Sequence, residues 1–302
     1  MSKPLNMSLK LLGVRGSRPT HKVELLGHGG NSTSMEFKLE GADYMIFLDG
    51  GSGLAHYGMS LGENPPQKEF HFLITHTHWD HILGFPFFAP LYSAENQINF
   101  YSSQSSTSTF KNLFFGLHRA DNLPIPVSKM RASINFNTLN AGEKFKIRDI
   151  DVSCYQINHQ GITLAYRLDY NGKSVAIVTD NAPIENGNWM GEGMKELGEK
   201  DPQKFENDFN EGLTKFLLNC NTVVFDTHFT EENLKADWGH STPQMALNFC
   251  KKANVKKLIL FHHAPEDLDQ DVISKVDSVK KDAENAGIVV FAAVEGQELE
   301  LS

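Results

Sequence analysis

The chain has 302 residues, 40% hydrophobic and 22% charged, a mix that buries a substantial core and argues against default disorder. A formal net charge of −9 gives a whole-molecule field that disfavours a large nucleic acid as partner, while local cations can still hold a small anion. Cys154, Cys220 and Cys250 lie far apart with no Cys-x-x-Cys spacing, which argues against a disulfide framework or a thiolate zinc knuckle and fits buried thiols in a reducing cytoplasm.

In chain order, the amino end lacks an uninterrupted apolar stretch, and no later segment is long enough to span a bilayer. The expectation is a cytoplasmic chain with no membrane partner. Short runs rich in β-branched and aromatic residues, bounded by Gly, Asn and Asp, predict strands over 7–12, 33–39, 44–48, 70–74 and 98–101. A second series follows over 152–157, 164–168, 174–178, 222–225, 257–261 and 288–292. Apolar residues at three- and four-residue intervals predict helices over 203–218, 243–252 and 267–286, the second capped by Thr242 with Pro243 in its first turn.

An opening block of hairpins followed by mixed strands and helices points to stacked sheets with helices outside, in one domain spanning 1–302. Two stretches stand apart. Residues 85–131 carry Phe85, Phe87, Phe88, Phe110, Phe114 and Phe115 with Pro124 and Pro126. They read either as a lid insertion over a pocket or as a Phe-rich helix packed on the core, and they are also the candidate contact of a homodimer. Residues 181–201, rich in Gly, Asn and Glu, read as a surface excursion. The polar run at 102–109 reads as a loop or helix start.

The chemistry concentrates in Thr75-His76-Thr77-His78-Trp79-Asp80-His81, directly after the strand-like run at 70–74. Residues two apart on an extended segment point the same way, so His76 and His78 can converge on one cation while Asp80 and His81 turn toward a second. Neutral imidazoles and a carboxylate suit a borderline divalent metal, zinc first, with manganese or iron accepted by the same ligands.

This run resembles the His-x-His-x-Asp-His signature of the metallo-β-lactamase superfamily. Three further runs resemble the opening of its tRNase Z-like and cyclic-nucleotide-phosphodiesterase-like branch: Leu-Gly-Val-Arg-Gly-Ser-Arg-Pro-Thr at 12–20, Gly-Gly-Asn-Ser-Thr-Ser at 29–34 and Phe-Leu-Asp-Gly-Gly-Ser-Gly at 47–53. The resemblance implies an α/β fold, a four-layer αββα sandwich of two mixed β-sheets with helices on the outer faces. It also implies two metal ions: His159 completes the first site with His76 and His78, His262 completes the second with Asp80 and His81, and Asp180 bridges. His263 is the alternative to His262, and would otherwise line the pocket. The same resemblance makes His240, in Trp-Gly-His-Ser-Thr at 238–242, the proton donor or phosphate ligand, Asp226 the acid that orients it, and Asp49 a hydrogen-bond partner beneath the metals. Asp80 counts as catalytic as well as metal-binding, and His228 receives no role.

The expected chemistry is hydrolysis by a metal-activated hydroxide, with His240 protonating the leaving alkoxide. A small phosphodiester such as a cyclic nucleotide is the first expectation for the substrate. The alternatives are a carboxylic ester, thioester or lactone on the same site, or tRNA 3′-end processing. By resemblance, a true β-lactamase is disfavoured by Asp180, and a redox diiron site by the intact His78.

Overall fold

The apolar runs of the first half become β1 (Met7–Gly13), β2 (Ser34–Leu39), β3 (Tyr44–Leu48), β4 (Glu69–Leu73), β5 (Gln97–Ser103) and β6 (Ser133–Leu139) in the computed structural model. The structure describes residues 6–25, 27–103, 110–119, 127–185 and 187–301; Pro124, Pro126 and positions 104–109 of the polar run lie outside these. Two compact units divide the chain, Met1–Asn140 with Val294–Glu300 and Ala141–Ala293 with Leu301–Ser302.

In the first unit β1, β2 and β3 pair antiparallel, as the hairpin expectation requires, but β3, β4, β5 and β6 pair parallel. The crossover from β3 to β4 contains α1 (Ser52–Leu61), a helix that the sequence pattern did not predict. Its two internal glycines depress helix propensity. Both are demanded by packing: a Cβ on Gly53 would sit 2.3 Å from the Leu12 carbonyl oxygen, and one on Gly58 would sit 2.8 Å from Phe88 Cα.

Phe47, Phe72, Phe100 and Phe136 occupy facing positions on the four parallel strands and form one ladder, with successive ring centroids 4.9, 5.3 and 5.3 Å apart. Phe85 and Phe88 from the turns after α2 (Trp79–Ile82) pack on it, as do Phe110 and Phe114 from α3 (Phe110–Leu117). The described part of 85–131 therefore places Phe85, Phe88, Phe110 and Phe114 in the core of this unit, with Phe115 packed against it and Phe87 exposed, whereas the lid reading needs them over a pocket. Phe100 touches five other aromatic rings at 5.0–5.3 Å. Phe100→Ala is expected to cost about 3–5 kcal/mol in equilibrium urea unfolding, and a loss below about 1 kcal/mol would contradict this account of the core.

The second unit holds β7 (Lys144–Ile147), β8 (Ile150–Ile157), β9 (Thr163–Tyr170), β10 (Lys173–Val178), β11 (Thr222–Asp226), β12 (Lys257–Phe261) and β13 (Val289–Ala292). They form one sheet in the order β13-β12-β11-β10-β9-β8-β7, antiparallel from β7 to β10 and parallel from β10 to β13. Its helices are α4 (Met194–Gly198), α5 (Pro202–Phe216), α6 (Pro243–Lys252) and α7 (Asp269–Asn285). Thr242 caps α6 as expected, accepting from the Met245 amide at 3.3 Å. Finally β14 (Glu298–Glu300) returns to pair with β1, completing the first unit's sheet in the order β14-β1-β2-β3-β4-β5-β6. Two mixed seven-stranded sheets with helices are thus present.

The stretch 181–201 is not a loose excursion. Ala182, Ile184 and Met194 are buried, and the Asn158 side chain bonds the Ala182 and Asn188 carbonyls and the Met190 amide at 2.9–3.0 Å. Among the described residues no helix is long and apolar enough to cross a membrane.

Candidate functional site

Strand β4 is buried and ends at Leu73, and the next residues carry the first donor set on its carboxyl-terminal exit. His78, itself extended, is the N-cap residue of α2, so Asp80 and His81 fall in a short helical turn while His76 lies before it. The rings of His76 and His78 lie 4.5 Å apart and those of His76 and His81 4.2 Å apart. His81 Nε2 stands 3.2 Å from Asp80 Oδ2.

The loop after β3 supports this set from beneath. Asp49 Oδ1 accepts from the Thr75 amide, and its Oδ2 accepts from the Thr75 hydroxyl and from His81 Nδ1–H, all at 2.8 Å. Burial raises the Asp49 carboxyl above its ordinary range, and the charge and hydrogen bonds of His81 with those of Thr75 oppose that rise. With its Nδ1 proton given to Asp49, His81 turns its Nε2 lone pair outward, as a metal-ligating histidine does. Gly51 permits the close approach: a Cβ there would lie 2.2 Å from the Asp80 carbonyl oxygen. Ser17 N–H donates to Asp80 Oδ2 at 2.8 Å. Asp49→Asn, which removes the anion that orients His81, is expected to weaken metal affinity about 10- to 100-fold by titration against a chromogenic chelator.

In the second unit His159 follows β8, Asp180 follows β10, Asp226 ends β11 and His262 follows β12. His159 Nδ1–H donates to the Gly239 carbonyl at 3.0 Å, leaving Nε2 3.7 Å from Asp180 Oδ2. Asp180 Oδ1 is 3.1 Å from His262 Nε2, so the two oxygens of one carboxylate each face a different imidazole. That is the arrangement a bridging carboxylate needs. Both adjacent histidines are fully buried: His262 Nε2 faces Asp180, whereas His263 Nε2–H donates to the Ala293 carbonyl at 3.0 Å. That bond ties the His263 ring to the Ala293 main chain.

Backbone strain marks the same positions. Eight described non-glycine residues have positive φ: Arg148, Asn171, Asn219 and Asn254 lie away from the donors, whereas Asp49 (53°), Asp180 (52°), His262 (60°) and Ser17 (61°) all carry or hold them. Such conformations cost about 1–3 kcal/mol each and persist where the surroundings over-determine them.

Asp226 is fully buried and saturated with donors. Its Oδ2 accepts from His240 Nδ1–H (2.9 Å), Asn181 N–H (3.1 Å) and Ser241 N–H (3.3 Å), and its Oδ1 from His228 N–H (3.0 Å). Burial alone would raise this carboxyl, but the charge and hydrogen bond of His240 and the charge of His262 hold it below the ordinary range. A fixed anion on Nδ1 sets the His240 tautomer and stabilises its protonated form, the requirement for a general acid.

One member of this group was not assigned from the sequence. The His228 ring stacks on His240 at 4.6 Å and 19°, and lies 5.7 Å from that of His262. Burial and the neighbouring His240 and His262 push its pKa down to about 3, so it is neutral near pH 7. The signal was available: Asp226 and His228 are two apart on an extended exit, the same spacing that flagged His76 and His78.

The chain is similar to several known proteins. A family model described as a beta-lactamase superfamily domain matches residues 65–198. Ribonuclease Z of Pyrococcus horikoshii is 22% identical over 84% of this chain and 85% of its own length, and ribonuclease Z of Listeria monocytogenes is 26% identical over 93% and 97%. Among solved structures, the metallo-beta-lactamase fold protein YhfI from Bacillus subtilis superposes with a TM-score of 0.69 at 14% identity, covering 98% of this chain and 99% of its own. A diphosphatase from the PhnP family gives 0.64 at 13% (98% and 98%), and the short form of human tRNase Z gives 0.65 at 14% (98% and 99%).

Proposed function

From the match to a beta-lactamase superfamily domain and the similarity to ribonuclease Z proteins, we propose that the chain is a metal-dependent hydrolase of the metallo-β-lactamase superfamily acting on a phosphodiester. In this reading, which follows the family resemblance, His76, His78 and His159 would hold one divalent ion, Asp80, His81 and His262 would hold a second, and Asp180 would serve both. Both donor sets suit this role: they consist of imidazoles and carboxylates, and His81 and His159 spend Nδ1–H on a protein acceptor, which presents Nε2 as a ligand. Zinc is the ion of choice for such ligands, with manganese or iron as substitutes. When bound, two such ions lower the pKa of a coordinated water and draw off charge that develops on the phosphoryl oxygens.

The observation that carries the phosphodiester reading is the buried Asp226–His240 pair at 2.9 Å. Expulsion of an alkoxide needs a proton, and Asp226 holds His240 with Nδ1 occupied and Nε2 as the atom that delivers it. Hydrolysis of a small acyl compound with a good leaving group makes less use of a buried acid. On the substrate, the net charge of −9 weighs against a large polyanion, which leaves a small phosphodiester, a cyclic nucleotide first. A second reading, cleavage of RNA, is favoured by the ribonuclease Z names of the relatives, and it weighs against the expectation that a large nucleic acid is disfavoured as partner.

The test is a panel of bis-p-nitrophenyl phosphate, 2′,3′- and 3′,5′-cyclic nucleotides, p-nitrophenyl acetate, a lactone and a tRNA precursor. The proposal expects turnover of the phosphate esters with kcat/KM at least about tenfold above that of the carboxylic esters. Preference for the carboxylic substrates would overturn it. Cleavage of the precursor with weak action on cyclic nucleotides would select the RNA reading.

A further inference from the structure

His228 is the histidine of the second unit with no role in the reading above. It is 4% exposed, and its main chain is fixed on both sides: the amide donates to Asp226 Oδ1 at 3.0 Å, and the carbonyl accepts from Lys275 Nζ at 2.6 Å. Lys275 is itself buried and also binds the Thr227 carbonyl (2.8 Å) and Asp267 Oδ2 (2.5 Å), so α7 clamps this segment from behind. Fixing one loop with a buried ammonium is a large investment for a side chain that only fills space.

The ring's own hydrogen bonding points the same way. His228 Nδ1 is buried with no hydrogen-bond partner among the described residues. A buried imidazole nitrogen without a partner is disfavoured unless something else meets it. One nitrogen from each of His228, His240 and His262 lies within 4.8 Å of the others. Two donors each about 2.9 Å from a shared oxygen can stand up to about 5.8 Å apart, so this spacing admits one oxygen between two rings.

We infer that His228 is a substrate-binding residue that donates a hydrogen bond to a non-bridging phosphoryl oxygen beside His240. The inference rests on the phosphodiester reading and adds a contact on the side where His240 acts. His240 delivers the proton to the leaving group; His228 holds the phosphoryl group while it does so.

The experiment compares wild type with His228→Phe, which keeps the stacked ring and removes both nitrogens, and His228→Gln, which restores an N–H donor. Three quantities are measured: metal content, competitive inhibition by inorganic phosphate, and kcat and KM for bis-p-nitrophenyl phosphate. In His228→Phe, phosphate inhibition and KM are expected to weaken about tenfold with metal content unchanged, and His228→Gln is expected to recover most of that loss. Unchanged phosphate inhibition in a folded His228→Phe protein overturns the inference. So does a loss of bound metal, which would make His228 a metal ligand, and so does equal impairment of both variants, which would make it a packing residue. Absence of phosphodiester turnover by wild type counts against the functional reading alone, because phosphate binding to wild type and to His228→Phe is then read directly by isothermal titration calorimetry instead of as inhibition.

Discussion

Asp226→Asn is expected to lower kcat for a phosphodiester by about 10³- to 10⁴-fold while the protein keeps its metals. The carboxylate receives four hydrogen bonds, one of them from His240 Nδ1–H at 2.9 Å. An amide in its place offers one oxygen and two N–H donors. The imidazole can then turn its proton to the other nitrogen, and its protonated form loses the adjacent anion. The effect belongs in kcat, since His240 acts on charge that develops as the bond breaks, and it should be smallest for substrates whose leaving group needs no proton. A reduction under about tenfold with an alkoxide leaving group would remove His240 as proton donor.

Asp180→Ala has the second large effect, an activity loss of about 10³-fold or more together with reduced metal content. Oδ1 and Oδ2 of Asp180 face His262 at 3.1 Å and His159 at 3.7 Å, so a single truncation strips an anionic oxygen from both imidazoles at once. Two cations held close together depend on that charge between them. Asp180→Glu should recover part of the metal content and little of the activity, since the longer arm shifts the bridging oxygens. Normal metal content in Asp180→Ala would show that the carboxylate serves only as a turn residue at the end of β10.

Most strands were legible because their apolar runs are buried: β3 and β12 occupy the predicted residues 44–48 and 257–261. The unpredicted strands, β6, β7 and β14, are all edge strands of their sheets. An edge strand keeps one face in water and carries charge, as in Lys-Phe-Lys-Ile of β7 and Glu-Leu-Glu of β14, so its apolar signal is thin. Helix α1 was hidden by the glycines its packing requires. The Phe-rich stretch could not be placed from composition, because whether a phenylalanine covers a pocket or a sheet depends on the ladder beneath it, which only strand register creates.

The donor residues were legible for a different reason. Each follows a strand, where the chain leaves the sheet and a side chain can turn aside from the core; His76, His159, Asp180 and His262 all occupy such exits. Adjacent His262 and His263 could not be separated by spacing alone, and the hydrogen bond from His263 to Ala293 is what favours His262 in the proposal. His228 carried the same two-residue spacing from Asp226, but the role proposed for it depends on the ring beside it in space, His240, twelve positions further along the chain.

The most direct test of the central claim is metal content measured together with phosphodiester hydrolysis, before and after chelation and on re-addition of zinc or manganese. The account predicts about two divalent ions per chain, hydrolysis of bis-p-nitrophenyl phosphate that disappears with the metal, and recovery when it is restored. A purified protein that binds no metal, or one that hydrolyses the ester equally well without it, would contradict the account.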